Sequence, residues 1–468
     1  MRARRLLRLI IAVALAAGAF LATVAPAAAA PGDRIWVETY PAGPYAEEFR
    51  DLAPGPNGSV YAVGVAEATE ETSKLLVARY DADGERRWVR VWGAGGAGAS
   101  GYRAVAVHAG LVVVGTVGNV SSPHRTDIVI ARYSASGELL WTTRYDGPGH
   151  RDDNAAGVVI GEYGDGGRPS HVYVGGTSFG AGTGRDYVLL RVRVSDGRVG
   201  WARRYAGPGG RDELRAMYAD ARGNVFVTGV SADRGGGTAA ATLRYHRDGS
   251  RRWLRRLHAG AGPTSGAGVS VKDSRGSVPF SPPEVHVAGT TSGGMSSGDE
   301  VMLASLAYAD GVKQWTQTAG YADGNEAAIA FAPSSLHGDA IAGLSSDRVS
   351  QAPRAYVAVW DPLDVFARQD VYPPAPATDD GGFAAVVRAA GGALFCGGTV
   401  ALGDVSPDLA VVCYAVDGAI LWDATFDGAA HDTDLCRAVL LRGDGLYACG
   451  SVGRGGLNTS ALLVKYER

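Results

Sequence analysis

The chain has 468 residues, a formal net charge of -3 and 46% hydrophobic residues, with 68 glycines and 21 prolines. This balance excludes a disordered chain, because disordered chains combine few apolar residues with a high net charge. It also gives no support for nucleic-acid binding, which requires a clustered excess of Lys and Arg. The many glycines and prolines favour short strands separated by tight turns over long helices.

The first thirty residues have the pattern of a secretory signal peptide. Four arginines precede an apolar run over residues 9–24, and alanines occupy residues 27–30. This order of charged, apolar and small residues predicts a signal peptide at 1–30 and a mature protein that is secreted or periplasmic. No second long apolar stretch follows, so we expect a chain without a membrane span.

A phrase made of Tyr, an Asp-Gly or Ser-Gly turn and Trp recurs through the rest of the chain. It runs from Tyr80 to Trp88, Tyr133 to Trp141, Tyr245 to Trp253 and Tyr414 to Trp422. Together with Trp36, Trp201, Trp315 and Phe366 it marks eight units of roughly 50 to 60 residues, a period typical of propeller blades. Strands of the form Val-Tyr-x-x-Gly, or close variants, also occur eight times, beginning at Val60, Val112, Val172, Val225, Val285, Ala340, Leu394 and Leu446.

Each unit has the pattern of four short strands. In the fourth unit, apolar or alternating segments at 214–218, 225–230, 240–245 and 252–257 are separated by turn residues. Four antiparallel strands make one blade, and one blade cannot bury enough apolar surface alone. The sequence therefore predicts an all-β fold, a single eight-bladed β-propeller over residues 31–468, with seven blades as the alternative. The expected blades are about 45–95, 101–145, 153–205, 212–257, 266–319, 325–371, 380–426, and 434–466 together with 34–40.

The two ends of the mature chain complement each other. Trp36 lies near the start without a preceding Tyr strand, and Tyr466 ends the last strand without a following Trp. We therefore expect residues 34–40 to form the outer strand of the last blade, so that the termini close the ring. The repeated Trp then fills the wedge between blades, where burial of an indole contributes on the order of 3 kcal/mol.

The repeats resemble the short propeller repeats of secreted bacterial proteins known as SBBP-type repeats. Asp81–Trp88 matches their Asp-x-Asp-Gly-x-x-x-Trp turn, and Gly223–Gly229 closely matches their Gly-Asn-Val-Tyr-Val-x-Gly hairpin. The resemblance covers residues 34–466 and implies an exported propeller. It is degenerate in the sixth unit, where Trp360 takes the Tyr position and Asp361–Asp364 replaces the glycine turn.

The eight-fold count and the turn followed by Trp also resemble the tryptophan-docking blades of quinoprotein dehydrogenases. That family implies a pyrroloquinoline quinone cofactor, a calcium ion and an Asp base. The chain has no adjacent Cys pair and no motif onto which the calcium ligands or the base can be mapped. The likeness is therefore one of architecture.

All four cysteines lie in the last two units. Cys396 and Cys413 lie on consecutive strands of one hairpin, and Cys436 and Cys449 flank a turn in the next unit. In an exported protein this arrangement favours disulfides that pair Cys396 with Cys413 and Cys436 with Cys449. Other pairings and free buried thiols stay open, whereas the spacing does not favour a metal site.

The connections from each outer strand to the next inner strand are often acidic. Such loops share one face of the disc, so they predict an electronegative funnel at the channel mouth that holds a cation such as calcium, or a polar ligand. The alternative is that their carboxylates accept hydrogen bonds from loop amides and arginines. The candidate metal ligands are Asp152, Asp153, Asp212, Glu213, Glu326, Asp379, Asp380, Asp432 and Asp434.

The chain carries no recognisable catalytic motif. Its histidines are dispersed, and none lies in a Gly-x-Ser-x-Gly or His-Glu-x-x-His pattern. We therefore expect a non-catalytic, exported and monomeric propeller that serves as a binding or cell-surface scaffold, with a protein, a glycan or a small molecule on a loop face. The alternative is a quinoprotein-like oxidoreductase, or a hydrolase that uses carboxylates at the channel mouth. No cofactor is predicted other than calcium.

Overall fold

The computed structural model is an all-β ring. It describes residues 29–468 except 41–44, 69–72, 94–98, 119–125, 273–281, 294–297, 322–323, 348–352, 373–380, 402–405, 444 and 457. Within these residues 32 strands form eight four-stranded antiparallel sheets. The prediction of an eight-bladed β-propeller is confirmed, and the seven-bladed alternative is wrong. The predicted signal peptide lies almost entirely outside the described residues.

The described helical structure is one short 3-10 turn, Asp165–Gly167. Among the described residues, no helix has the length and apolar character needed to span a membrane. The ring is therefore built from strands and turns, as the glycine-rich composition predicts.

Strands follow one another from the channel to the rim in each blade. Blade 1 holds β2 (Ala46–Pro54), β3 (Val60–Ala68), β4 (Lys74–Tyr80) and β5 (Arg86–Trp92). Blade 2 holds β6 (Ala99–Val107), β7 (Gly110–Gly118), β8 (Thr126–Ser134) and β9 (Leu139–Tyr145). Blade 3 holds β10 (Asp153–Tyr163), β11 (Pro169–Gly180), β12 (Gly184–Arg193) and β13 (Val199–Tyr205). Blade 4 holds β14 (Asp212–Ala219), β15 (Val225–Ala232), β16 (Thr238–Tyr245) and β17 (Arg251–Leu257).

The second half of the ring repeats this order. Blade 5 holds β18 (Thr264–Lys272), β19 (Glu284–Ser292), β20 (Asp299–Ala307) and β21 (Lys313–Ala319). Blade 6 holds β22 (Gly324–Ala332), β23 (Ala340–Asp347), β24 (Pro353–Trp360) and β25 (Phe366–Tyr372). Blade 7 holds β26 (Gly382–Arg388), β27 (Leu394–Val400), β28 (Asp408–Tyr414) and β29 (Ile420–Phe426). Blade 8 holds β30 (Leu435–Arg442), β31 (Gly445–Gly453), β32 (Thr459–Glu467) and β1 (Arg34–Tyr40).

The hydrophobic core lies between the blades. In the described part of the chain, eight clusters of buried side chains each join two neighbouring sheets. Between blades 1 and 2, for example, Tyr61 and Val77 pack with Leu111 and Val129. Burial of such side chains contributes about 1.5 to 3 kcal/mol each. One blade therefore depends on its two neighbours for stability.

The two chain termini share one sheet. β1 pairs with β32 in antiparallel fashion, with Trp36 opposite Lys465 and Tyr40 opposite Ala461. The Gly32 amide extends this pairing with a hydrogen bond of 2.9 Å to the carbonyl of the last strand's final residue. The predicted closure is confirmed. Hydrogen bonds and packing, with no covalent link, hold the ring shut at this point.

The repeated Trp joins neighbouring blades. Its indole N–H donates to a carbonyl in the outer turn of the following blade, as from Trp88 to Ala135 at 2.9 Å. The ring packs on a turn glycine: Gly137 has a φ of +82°, and a Cβ added there would lie 2.7 Å from the Trp88 ring. The left-handed φ and the close approach both require glycine. The same type of indole hydrogen bond is made by Trp36, Trp141, Trp201 and Trp253.

The four cysteines are free and buried in this structure. Cys396 lies opposite Val412 in the register of blade 7, so the adjacent Cys413 projects from the other face of the sheet. Cys436 and Cys449 likewise pack in different hydrophobic clusters, on opposite faces of blade 8. Neither predicted disulfide, Cys396 with Cys413 or Cys436 with Cys449, fits this arrangement. The prediction used proximity along a hairpin and ignored the alternation of side chains between faces.

Candidate functional site

An axial channel runs between the innermost strands. A cavity of about 380 Å³ lies in it and is lined by residues of β2, β6, β10, β14, β18, β22, β26 and β30. A second cavity of about 470 Å³ shares part of this wall and adds Glu48 and Arg50. Spaces of this size suit small-molecule ligands.

Each innermost strand carries a β-bulge at the same point of its register. A bulge leaves one residue unpaired and re-aims its side chain. Here the bulges turn side chains toward the channel. The bulged residues that line the two cavities are Arg50, Ala156, Arg215, Ala267, Ile329, Ala384 and Arg437.

Arginines dominate the charge of the channel wall. Arg103, Arg215 and Arg437 are exposed on it, whereas its acidic residues are Glu48 and Asp51. The Arg215 guanidinium makes no hydrogen bond or ion pair with any residue that the structure describes. A cleft with an excess of one charge concentrates the electrostatic field and attracts ions of the other sign. The channel is therefore suited to an anion.

Nearby donors already engage the two carboxylates of the wall. Glu48 accepts hydrogen bonds from Arg50 at 2.8 Å and from Arg437. Asp51 accepts a hydrogen bond of 2.8 Å from the Ala104 amide, and burial raises the pKa of its carboxyl group. These acids therefore offset only part of the positive charge that the arginines bring.

The predicted acidic candidates lie in separate places around the disc. The buried ones accept hydrogen bonds from loop amides or a serine: Asp153 from Gly147, Asp212 from Gly207, Asp434 from Gly428 and Gly453, and Glu326 from Ser345. Glu213 pairs with Arg185 and Arg211, Asp432 accepts a bond from the Thr433 amide, and Asp152 is partly exposed. Asp379 and Asp380 lie outside the described residues. Among those described, no two candidates share a potential metal cluster.

Two of the candidates instead join acidic residues contributed by the preceding blade. One trio consists of Asp127, Asp146 and Asp153, and the other of Asp408, Asp427 and Asp434. In each trio one oxygen per residue lies within 4.8 Å of the others. Burial raises the pKa of Asp153 and of Asp434. Carboxylates this close repel one another unless a proton or a cation intervenes.

The two trios are built on the same loop. Residues 146–153 and 427–434 both read Asp-Gly-x-x-His-x-x-Asp. In both loops the histidine has a left-handed backbone, with φ of +47° at His150 and +49° at His431. Its Nδ1 atom lies 2.8 Å from Asp146 in the first loop and 2.6 Å from Asp427 in the second. The same loop sequence and geometry therefore occur at two junctions between blades.

The trios differ in one cation. Arg144 donates a hydrogen bond to Asp127, whereas Thr425 occupies the equivalent position on the outer strand beside Asp408. Burial, together with the charges of the two neighbouring aspartates, raises the pKa of Asp408 to about 6. The expected binding of a cation such as calcium to the acidic loops stays a prediction.

Sequence reasoning missed two sets of residues. Asp127 and Asp408 each lie six residues before the Tyr that ends their strand, and this spacing is a usable signal. Arg50, Arg215 and Arg437 each lie three residues after a buried acidic residue. The direction of these arginine side chains depends on the β-bulge, and no residue type in the repeat predicts a bulge there.

Comparisons with known proteins support the architecture. No family model and no curated protein matches the chain. The quinohemoprotein alcohol dehydrogenase of Comamonas testosteroni is 12% identical, with a TM-score of 0.53, over 92% of this chain and 76% of its own. Sqt1 of Chaetomium thermophilum is 11% identical, with a TM-score of 0.57, over 93% of this chain and 99% of its own. At such identities the likeness shows the β-propeller fold alone.

Proposed function

We propose that this protein is an exported, non-catalytic β-propeller whose axial channel binds an anionic ligand. The proposal rests on the Arg215 guanidinium, which is exposed on the same channel wall as Arg103 and Arg437 and makes no hydrogen bond or ion pair with the described residues. The chain as a whole has a formal net charge of -3. The positive wall is therefore a local feature and not a property of the whole surface.

The chemistry of the wall narrows the ligand class. A guanidinium presents a planar fork that donates two parallel hydrogen bonds to a carboxylate or a phosphate. Apolar side chains, among them Ala156, Ile329 and Phe331, line the same cavity of about 380 Å³. We favour a small organic carboxylate or phosphate that also carries an apolar group.

Isothermal titration calorimetry tests this proposal with simple probes. Phenyl phosphate carries both an anion and an apolar ring, and phenyl glucoside is a neutral analogue of similar size. We expect phenyl phosphate to bind with a stoichiometry of one, and to bind more weakly as salt is added, because ions screen exposed charges. Phenyl glucoside should show no binding. Absence of phenyl phosphate binding at low salt would contradict the proposal.

Two arginine variants of blade 4 test whether the anion binds in the channel. Arg215→Gln removes a guanidinium from the channel wall and should weaken phenyl phosphate binding about tenfold. Arg251→Gln changes an exposed arginine on β17, the outermost strand of the same blade. It should bind as the wild-type protein does. Equal affinities for the two variants would place the anion outside the channel.

Export is a separate part of the proposal. It rests on the arginines, the apolar run and the alanines at the start of the chain. Expression of the full chain in a bacterium, followed by cell fractionation and N-terminal sequencing, tests it. We expect a product outside the cytoplasm that begins near residue 30. An uncleaved cytoplasmic product would contradict export and leave the channel proposal untouched.

A further inference from the structure

The junction between blades 5 and 6 departs from the pattern of the Trp-docked junctions. Asp364 occupies the position of the turn glycine and has a left-handed φ of +63°. The carbonyl at the usual acceptor position belongs to Pro362, and it accepts a hydrogen bond of 2.9 Å from Lys272. The indole N–H of Trp315 has no hydrogen bond to the described residues. Its ring lies edge-on to His286, with 5.4 Å between centroids.

Three potential ligand groups meet at this junction. Glu284 and His286 alternate along β19 and therefore project from the same face of blade 5. Asp364 reaches them from the turn between β24 and β25 of blade 6. The His286 Nε2 atom lies 3.6 Å from a Glu284 oxygen and 3.8 Å from an Asp364 oxygen.

His286 is held in place by a second carboxylate. Its side chain has no exposed surface, and its Nδ1 atom is hydrogen-bonded to Asp339. Asp339 in turn accepts a hydrogen bond of 3.0 Å from the Ser334 amide. A carboxylate on one ring nitrogen is the arrangement that orients metal-binding histidines in proteins.

The other nitrogen of His286 faces two carboxylates at ion-pairing distance. Nε2 is buried and has no hydrogen bond to the described residues, although it faces the two carboxylates. The hydroxyl of Ser270, which lies opposite His286 in the register of β18 and β19, is also buried and has no hydrogen bond to the described residues. Buried polar atoms without partners are costly and rare in folded proteins. This pocket therefore has the donors for a ligand that the chain itself does not supply.

We propose that His286, Glu284 and Asp364 bind a divalent transition-metal ion of the zinc type. Two metal–ligand bonds of about 2.1 Å at a tetrahedral angle place their donor atoms about 3.4 Å apart. The observed separations of 3.6 and 3.8 Å are close to this value. One imidazole with two carboxylates suits zinc better than calcium or magnesium, which prefer oxygen ligands alone.

A metal ion can reach this site from solvent, and a lysine of the chain competes with it for one carboxylate. The Glu284 side chain is 35% exposed, so an ion can reach it from solvent. The Lys272 ammonium pairs with Asp364 on the other side of the cluster. A metal ion must share or displace this charge, because two cations on one carboxylate repel each other. Lys272 therefore weakens the site.

Titration with Co²⁺ and Zn²⁺ tests the proposal on the full protein after treatment with a chelator. Co²⁺ bound to imidazole and carboxylates gains a visible absorption that reports its coordination. We expect one Co²⁺ per chain, displaced by one Zn²⁺, with metal analysis giving the same count. No saturable binding by the folded wild-type protein would overturn the proposal.

Variants separate this site from surface binding. His286→Gln and Glu284→Gln should each weaken Co²⁺ binding at least tenfold, and Glu284 is exposed enough for its variant to fold if His286→Gln does not. His171→Gln is the matched control, because His171 lies 3.7 Å from Glu162 but Arg191 already occupies that carboxylate. It should leave binding unchanged. Equal Co²⁺ affinity in folded wild-type and Glu284→Gln proteins would show an adventitious ion and overturn the assignment.

The variant Lys272→Met should change the affinity for Co²⁺ in the opposite direction. Removal of the competing ammonium should tighten Co²⁺ binding severalfold, since Lys272 then no longer repels the metal ion from Asp364. A merely structural lysine would give unchanged or weaker binding, and that result would contradict the role of Asp364 as a ligand.

Discussion

At the junction between blades 1 and 2, Trp88 packs on Gly137 and donates its indole N–H to the Ala135 carbonyl. At the junction between blades 5 and 6, Asp364 stands in the glycine position, and Trp315 has no acceptor among the described residues. At the first junction the repeat itself supplies the acceptor for the indole N–H. The second replaces that contact with charged groups, and a buried histidine nitrogen there makes no hydrogen bond to the described residues.

This difference indicates where a ligand-binding site can form in a fold that is built from repeats. A contact that recurs around a ring serves packing, because each blade needs the same wedge filled. A residue that breaks the repeat loses that role and becomes available to a ligand. Mutations at the two junctions should therefore have different effects on stability.

The largest effect is expected from the buried pair at the irregular junction. His286→Leu removes the imidazole from the Asp339 carboxylate, which is only 1% exposed and keeps only the Ser334 amide among the donors described above. The free energy of unfolding should fall by about 4 kcal/mol, because an unpaired buried charge is costly. Urea denaturation of the chelator-treated protein measures this. The double variant His286→Leu with Asp339→Leu should recover most of the loss, and a purely additive double variant would contradict the pairing.

A smaller loss is expected at the regular junction. Gly137→Ala places a methyl group 2.7 Å from the Trp88 ring at a φ of +82°, and should cost about 3 kcal/mol through strain and overpacking. Gly236→Ala is the matched control, since its φ is +88° and nothing lies within 4 Å of the added Cβ. It should cost about 1 kcal/mol. Equal losses in thermal or urea unfolding would show that Trp docking does not require this glycine.

Loss of the indole hydrogen bond should distinguish the two junctions by a smaller difference in the free energy of unfolding. Trp88→Phe removes a bond of 2.9 Å to the Ala135 carbonyl, whereas Trp315→Phe has no such bond to lose. Trp88→Phe should therefore destabilise the protein by about 1 kcal/mol more than Trp315→Phe does. Urea denaturation of both variants checks this. A larger loss for Trp315→Phe would reverse the comparison.

The smallest effect concerns pH at the trio beside blade 8. The pKa of Asp408 is raised to about 6 in the folded protein, so the folded state holds a proton that the unfolded state releases near pH 4. Stability should therefore fall as pH rises through the range from about 4 to 6, by less than about 1 kcal/mol for this partly exposed group.

Asp408→Asn should remove this part of the pH dependence, as urea denaturation across the same pH range can measure. Asp127 provides the comparison, because Arg144 already pairs with it. Burial raises the pKa of Asp127 as well, although Arg144 lowers it in part. Because only Asp127→Asn loses an arginine pair, it should leave the protein less stable at pH 7 than Asp408→Asn does. The opposite pattern would contradict the difference between the two trios.

Much of the ring could be predicted from local sequence. The spacing of Tyr, Gly and Trp sets the blade count, and the unpaired Trp36 and Tyr466 predict the closure. These features depend on neighbouring strands of one blade. The repeat pattern also identified Asp361–Asp364 as a departure from the glycine turn. It did not predict which side chains meet at this turn.

The sites could not be predicted because they combine distant parts of the chain. Glu284 and Asp364 come from different blades, and only the packing of blade 5 on blade 6 brings them together. The direction of Arg215 depends on a β-bulge, which is a feature of backbone pairing. The cysteine prediction failed for a related reason, since adjacent strand positions such as those of Cys396 and Cys413 face opposite sides of the sheet.

Anion binding in the axial channel can be seen in crystals grown with selenate, because the anomalous signal of selenium locates the ion. We predict a peak inside the channel within hydrogen-bonding distance of the Arg215 guanidinium, and its loss in crystals of Arg215→Gln. Selenate found only on the outer surface of the disc, with no peak in the channel, would contradict the claim.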